Sequence, residues 1–144
     1  SSALFKRYQT EIGSNWVKRV TAASQKNRVL VAQITSVEMM SAASRLLREG
    51  KLSGRTLEAI RIYIQRHVRR EYVIVLLSDE IIDIAQRLVQ QHPLRAADAI
   101  QLASAVVASQ SLVAGGLPPL TFVSADTRLI SAAAQSGLPT HIPA

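Results

Sequence analysis

The sequence predicts an α/β fold, specifically a three-layer α/β/α sandwich around a central parallel sheet. Three observations carry that reading. Short apolar, β-branched runs recur at "RVLVAQI" (28–34), "YVIVLL" (72–77) and "LTFVSA" (120–125). Long stretches with helical caps and stop signals separate them. The runs are apolar throughout instead of alternating, as in strands buried on both faces of a parallel sheet.

Taken in order, residues 2–9 and 11–24 read as helix, with Thr10 placed to cap the second piece. The strand at 28–34 leads into a helix over 35–50, which Gly50 stops. Ser53 opens a long helix to about Tyr72, and the strand at 72–77 follows. Ser78 caps a helix that ends near His92-Pro93, and residues 95–113 form the next. "GGLPPL" (115–120) reads as a loop, 120–125 as a strand, 127–136 as a helix ending at Gly137, and 140–142 as a last short strand. An α/β domain ordinarily opens on a strand. This chain enters on helical "SSALFKRY" and has no initiator Met, so an opening strand is expected to be missing. Residues 1–144 are read as one domain lacking that strand.

Composition narrows the class. Apolar residues make up 48% of the chain, which excludes a disordered segment. Cysteine is absent, so a disulfide scaffold and cysteine-ligated zinc are excluded, and a cytoplasmic location is expected. No apolar run in the sequence approaches the roughly 18 residues of a membrane span, so no membrane partner is expected. The net charge of +7 arises from seventeen basic residues against only ten acids, and thirteen of the seventeen are Arg. Between 45 and 70, Arg45, Arg48, Lys51, Arg55, Arg61, Arg66, Arg69 and Arg70 face only Glu49 and Glu58. A solvated helix face explains any one of them. The surplus points to a polyanionic partner, most simply nucleic acid, because guanidinium grips phosphate in a bidentate fork. Aromatics are too few for a base-stacking platform.

Three acids stand out against this basic background. Asp98 lies in the apolar stretch "LRAADAIQLASA" (94–105), with no Lys or Arg at i+4 to pair with it. Each acid has a structural explanation. Glu38 follows Thr35 at capping-box spacing, Asp126 sits where an aspartate caps a helix, and Asp98 falls near a helix N-terminus. Position adds a functional one. Glu38 and Asp126 each follow a strand by a few residues and so lie at the carboxyl edge of the sheet, where open parallel sheets place ligands. If Asp98 points to the same edge, three carboxylates meet, and their repulsion favours a cation between them. Oxygen-only donors select a hard ion, Mg²⁺ or Mn²⁺, able to polarise a phosphate and activate a water.

"SSALFKRY" (1–8), "TSVE" (35–38), "AADAIQLASA" (96–105) and "FVSADTRL" (122–129), in this order and spacing, resemble the PIN-domain ribonucleases, in particular the VapC-type toxins of toxin–antitoxin pairs. The resemblance spans nearly the whole chain. It implies a Mg²⁺- or Mn²⁺-dependent endoribonuclease whose pocket uses four acids. Glu38, Asp98 and Asp126 match the second, third and fourth, as catalytic residues and metal ligands. The first, an Asp ending the opening strand, has no counterpart in the chain. Ser2 and Ser124 match supporting polar positions. Arg95 and Arg128, each close to a site acid, are candidate RNA-binding residues, with a local ion pair as the alternative for each. The resemblance further implies an RNA substrate, a small antitoxin that blocks the pocket with a basic side chain, and a homodimer. The alternative is a catalytically silent module that binds RNA or antitoxin. A phosphoacceptor receiver domain lacks the Lys it needs after a late strand. Serine hydrolysis lacks a G-x-S-x-G turn, and dinucleotide binding lacks a Gly-rich turn after any strand.

Overall fold

A computed structural model describes residues 1–144. The chain runs α1 (Ser2–Phe5), α2 (Ser14–Val20), a 3₁₀ turn (Ala23–Gln25), β1 (Val29–Ala32), α3 (Thr35–Arg48), α4 (Gly54–Arg70), β2 (Tyr72–Val75), α5 (Asp79–Gln91), α6 (Ala96–Ala114), β3 (Phe122–Val123), α7 (Thr127–Gln135) and β4 (Thr140–His141). Two caps form as the sequence requires. Ser53 accepts from the Thr56 amide at the start of α4, and Ser78 from the Ile81 amide at the start of α5. The first twenty-five residues depart from expectation. α1 and α2 are short, and α2 is entered through Gly13 in the left-handed region, not through a Thr10 cap. A side chain at Gly13 would meet the Pro143 carbonyl at 2.7 Å, so the bend and its contact with the carboxyl-terminal segment both demand glycine.

All strand pairing is parallel, as the apolar runs indicate. It falls into two separate pairs, however, not one continuous sheet: β1 with β2, and β3 with β4. The strands are also shorter than the runs that encode them. Leu76 and Leu77 lie beyond β2, and β3 keeps only two residues. β1 and β3 both contribute to a cleft of about 660 Å³ between the pairs.

Two apolar clusters form the interior. The larger joins α5, α6, α7 and Phe122 through residues such as Ile81, Leu102 and Leu129. The smaller joins α1, α3 and α4 through Phe5, Met39, Ala43, Ile60 and Ile64. α6 is the central helix, packed against α5, β1 and α7. It is apolar around most of its circumference, as a helix covered on several sides must be. At 19 residues and a mean hydropathy of 1.3 it meets the length and composition of a membrane span, contrary to the sequence expectation. Its buried Ala99, Leu102 and Ala103 sit in the protein core instead.

Candidate active site

Asp98 is placed by the first turn of α6 and is half-buried. The helix opens at Arg95 with no side-chain cap, so the Asp98 carboxylate is not spent on the helix end. No basic side chain forms an ion pair with it. Burial first, then the negative charges of Glu38 and Asp126, push its pKa above the ordinary aspartate value. The Ser1 ammonium and Arg95 pull the other way more weakly.

Glu38 reaches the same region from the first turn of α3. The capping box anticipated with Thr35 does not form: α3 is entered through Ile34 in helical conformation, without a side-chain cap. A residue 66 positions from Thr35 claims both partners. Gln101 of α6 donates from Nε2 to Thr35 Oγ1 at 2.9 Å and to Glu38 Oε1 at 2.5 Å. One amide NH₂ has two protons to give and spends both here. It fixes the Glu38 carboxylate relative to α6, one helical turn from Asp98.

Asp126 does act as a cap. Its Oδ1 accepts from the Arg128 amide at 2.9 Å and the Leu129 amide at 3.4 Å at the start of α7, leaving the second oxygen available. Ser124, buried at the end of β3, accepts from the Asp126 amide at 3.1 Å, and its hydroxyl lies 3.4 Å from that of Ser2. Ser2 also accepts from the Ala125 amide at 3.4 Å. The paired serines therefore tie α1 to the turn that carries Asp126.

Arg95 and Arg128 are exposed and form no ion pair, so the local pairs anticipated with Asp98 and Asp126 are not made. With Asp98, Asp126, Pro93 and Leu94 they line a small cleft of about 180 Å³. The acids share one electrostatic field, yet no three Asp, Glu or His side chains converge closely enough to grip a single ion. Their oxygen-only chemistry and uncompensated charge suit a hard divalent cation all the same. Mg²⁺ characteristically binds through one or two carboxylates and keeps several waters.

Gln101 is the residue that sequence reasoning missed. Its signal was present: it stands at i+3 from Asp98, on the face where a helix presents neighbours.

A family model for the PIN domain matches residues 1–135. The chain belongs to the PIN domain family. No curated protein matches it closely enough to be named a relative. PIN domains are α/β proteins, generally nucleases, typically using divalent metal ions, with RNA as the indicated substrate. The match covers Glu38, Asp98, Asp126, Ser2 and Ser124 of this PIN domain.

Proposed function

We propose that this PIN domain is a toxin-type, metal-dependent endoribonuclease of the VapC kind, hydrolysing RNA phosphodiester bonds in the shared electrostatic field of Glu38, Asp98 and Asp126. The observation that supports it most is the state of Asp98: half-buried, without an ion-pair partner, and held above its ordinary pKa by burial first and then by two further carboxylates. A protein tolerates such an uncompensated charge where function uses it. Of Asp98, Glu38 and the free oxygen of Asp126, one or two would bind Mg²⁺ or Mn²⁺ directly and the rest through the ion's waters. That ion, when bound, offsets charge on the phosphate oxygens and lowers the pKa of an attacking water. Gln101 keeps the Glu38 carboxylate facing the site, and the Ser2–Ser124 pair keeps the Asp126 turn in place. Arg95 and Arg128, free of local partners, bind phosphates flanking the scissile bond. A cytoplasmic homodimer blocked by a small antitoxin with a basic side chain belongs to the same reading, since a guanidinium among these acids would supply the charge they lack.

One observation favours a second reading, a catalytically silent module that binds RNA or antitoxin: the three acids do not close around a single ion site. Cleavage of a panel of labelled RNAs in Mg²⁺, Mn²⁺ or EDTA separates the two. The nuclease reading expects metal-dependent cutting. Asp98→Asn should reduce it by more than the ~10–100-fold typical of losing an outer-shell partner. Salt-dependent RNA binding with no cutting in any metal would support the silent module.

A further inference from the structure

The arginine run between 45 and 70 lies outside the site described above, and α4 sorts much of it onto one face. At about 100° per residue, Arg55, Arg66, Arg69 and Arg70 fall within an arc of about 100°, opposite the buried Ile60 and Ile64. All four are exposed and none forms an ion pair. From Arg55 to Arg70 the arc extends about 22 Å along the helix, at ~1.5 Å per residue. Glu58, the one acid in α4, lies just outside it and is taken by Arg61, whose Nε donates to Glu58 Oε2 at 2.9 Å. Glu71, at the far end, is held by Arg7 at 2.8 Å. No carboxylate on this helix or at its end is left to neutralise the face.

Helix energetics explain only part of the arrangement. Arg69 and Arg70 stand in the last turn, where a cation suits the negative end of the helix dipole. Arg45 and Arg48 have the same account at the end of α3, with Glu49 in their field. Arg55 stands in the first turn, at the positive end of the dipole, and no acid in that turn offsets it. Arg66 precedes the last turn, its guanidinium 5.8 Å from the Tyr63 ring. A cation placed where the helix disfavours it, in line with three others, fits a ligand that spans them all.

The chemistry of the face narrows that ligand to a chain of phosphates. Ile62 is the only large apolar side chain inside the arc, so a protein partner would find no apolar core there. A second copy docked about a two-fold axis would set four cations against four. Tyr63 lies at the margin, stacked on His67, and no aromatic stands within the arc. Guanidinium forks without an aromatic platform hold backbone oxygens and leave the bases unread. We propose that the outer face of α4 is an RNA-docking surface, separate from Glu38, Asp98 and Asp126, that binds the phosphate backbone through Arg55, Arg66, Arg69 and Arg70 without regard to base sequence. It rests on the reading of this chain as directed at RNA, and adds that the RNA held extends beyond the stretch at the acids.

The test measures binding in EDTA, so it does not depend on cutting. Fluorescence anisotropy of two labelled, unpaired RNAs, equal in length and unrelated in sequence, is followed as salt rises. Arg55, Arg66, Arg69 and Arg70 are changed together to Gln in one variant and to Lys in another. A control changes Lys18, Arg19, Lys26 and Arg28, exposed around α2 and β1, to Gln, for the same loss of charge. The wild type should bind both RNAs alike. Gln at the four α4 positions should lower the slope of log affinity against log salt by about 3, at ~0.7 per phosphate contact. The Lys variant should keep most of that slope, and the control should lose less than about one unit. Equal losses in the two Gln variants would reduce the surface to overall charge and overturn the proposal. An equal loss in the Lys variant would overturn it too, because the helix and not its charge would then be responsible. Polyglutamate that displaces the labelled RNA as well as unlabelled RNA does would overturn it in favour of an acidic protein segment. Metal-dependent cutting by the wild type, with an unchanged salt slope in the α4 Gln variant, would overturn the docking surface alone and leave the nuclease reading standing.

Discussion

Two polar clusters, joined by the first eight residues of the chain, treat charge in opposite ways. At one end Arg7 donates to Tyr72 Oη at 2.8 Å and pairs with Glu71 at 2.8 Å, while Tyr8 bridges Tyr72 and His67 Nδ1, each at 2.8 Å. His67 approaches Glu71 in turn at 3.8 Å. Every member has a partner. At the other end, beyond Ser1 and Ser2, Glu38, Asp98 and Asp126 share a field with no basic side chain bound to any of them. The first arrangement is how a protein stabilises polar groups it must bury, because each partner offsets another's desolvation. The second has hydrogen bonds to Glu38 and Asp126 but no ion pair, so its net negative charge is only weakly offset. The contrast separates a structural network from a candidate functional site more sharply than residue type does, since both clusters contain carboxylates and half-buried titratable groups.

The largest effect expected from breaking this contrast is on stability. Arg7→Ala strips Glu71 and Tyr72 of a charged donor and should cost about 1–3 kcal/mol in urea unfolding. Asp98→Asn, at a comparably buried acid, should leave stability unchanged or raise it, because it removes a repelled charge. A similar loss in both variants would show that Asp98 has a structural partner after all.

A smaller effect separates the clusters by pH, measured in EDTA. Burial and the nearby Arg7 charge hold the His67 pKa below its ordinary 6.5. The unfolded chain then binds the proton first, and this group's contribution to stability is lost as pH falls from about 6.5 through the lower folded value. Asp98 behaves in the opposite sense. Its folded pKa lies above the ordinary 3.8, so the folded state takes the proton first, and stability rises as pH falls through the raised value towards 3.8. His67→Gln should flatten the first slope and Asp98→Asn the second. Slopes unchanged in both variants would remove the electrostatic distinction.

The smallest effect concerns the two free arginines. Arg95→Ala and Arg128→Ala should each leave the melting temperature within a degree or so, as surface changes do, and lower the salt dependence of RNA binding by roughly one counterion. Unchanged salt slopes would take phosphate contacts away from both residues.

What the sequence alone determined is local. Ser53 and Ser78 cap α4 and α5 because a serine oxygen bonds an amide three residues on, and that geometry involves no distant partner. The apolar runs became parallel strands, and periodicity with stop signals placed the bounds of α3, α5, α6 and α7 within a few residues. Glu38 and Asp126 could be named because their type and their places after strands are visible in one dimension, and Asp98 because it is a lone carboxylate in an apolar helical stretch. What those acids do with their oxygens was decided elsewhere. Thr35 and Glu38 have the spacing of a capping box, and locally nothing opposes it. Gln101, brought in by α6 packing on β1, supplies donors to both side chains and takes them out of it. Arg95 and Arg128 stand near Asp98 and Asp126 in sequence and line a cleft with them, yet form no ion pair with either. The division of the strands into two pairs has the same origin. A strand's propensity is written in its residues, but its neighbour is chosen by what the folded chain brings alongside.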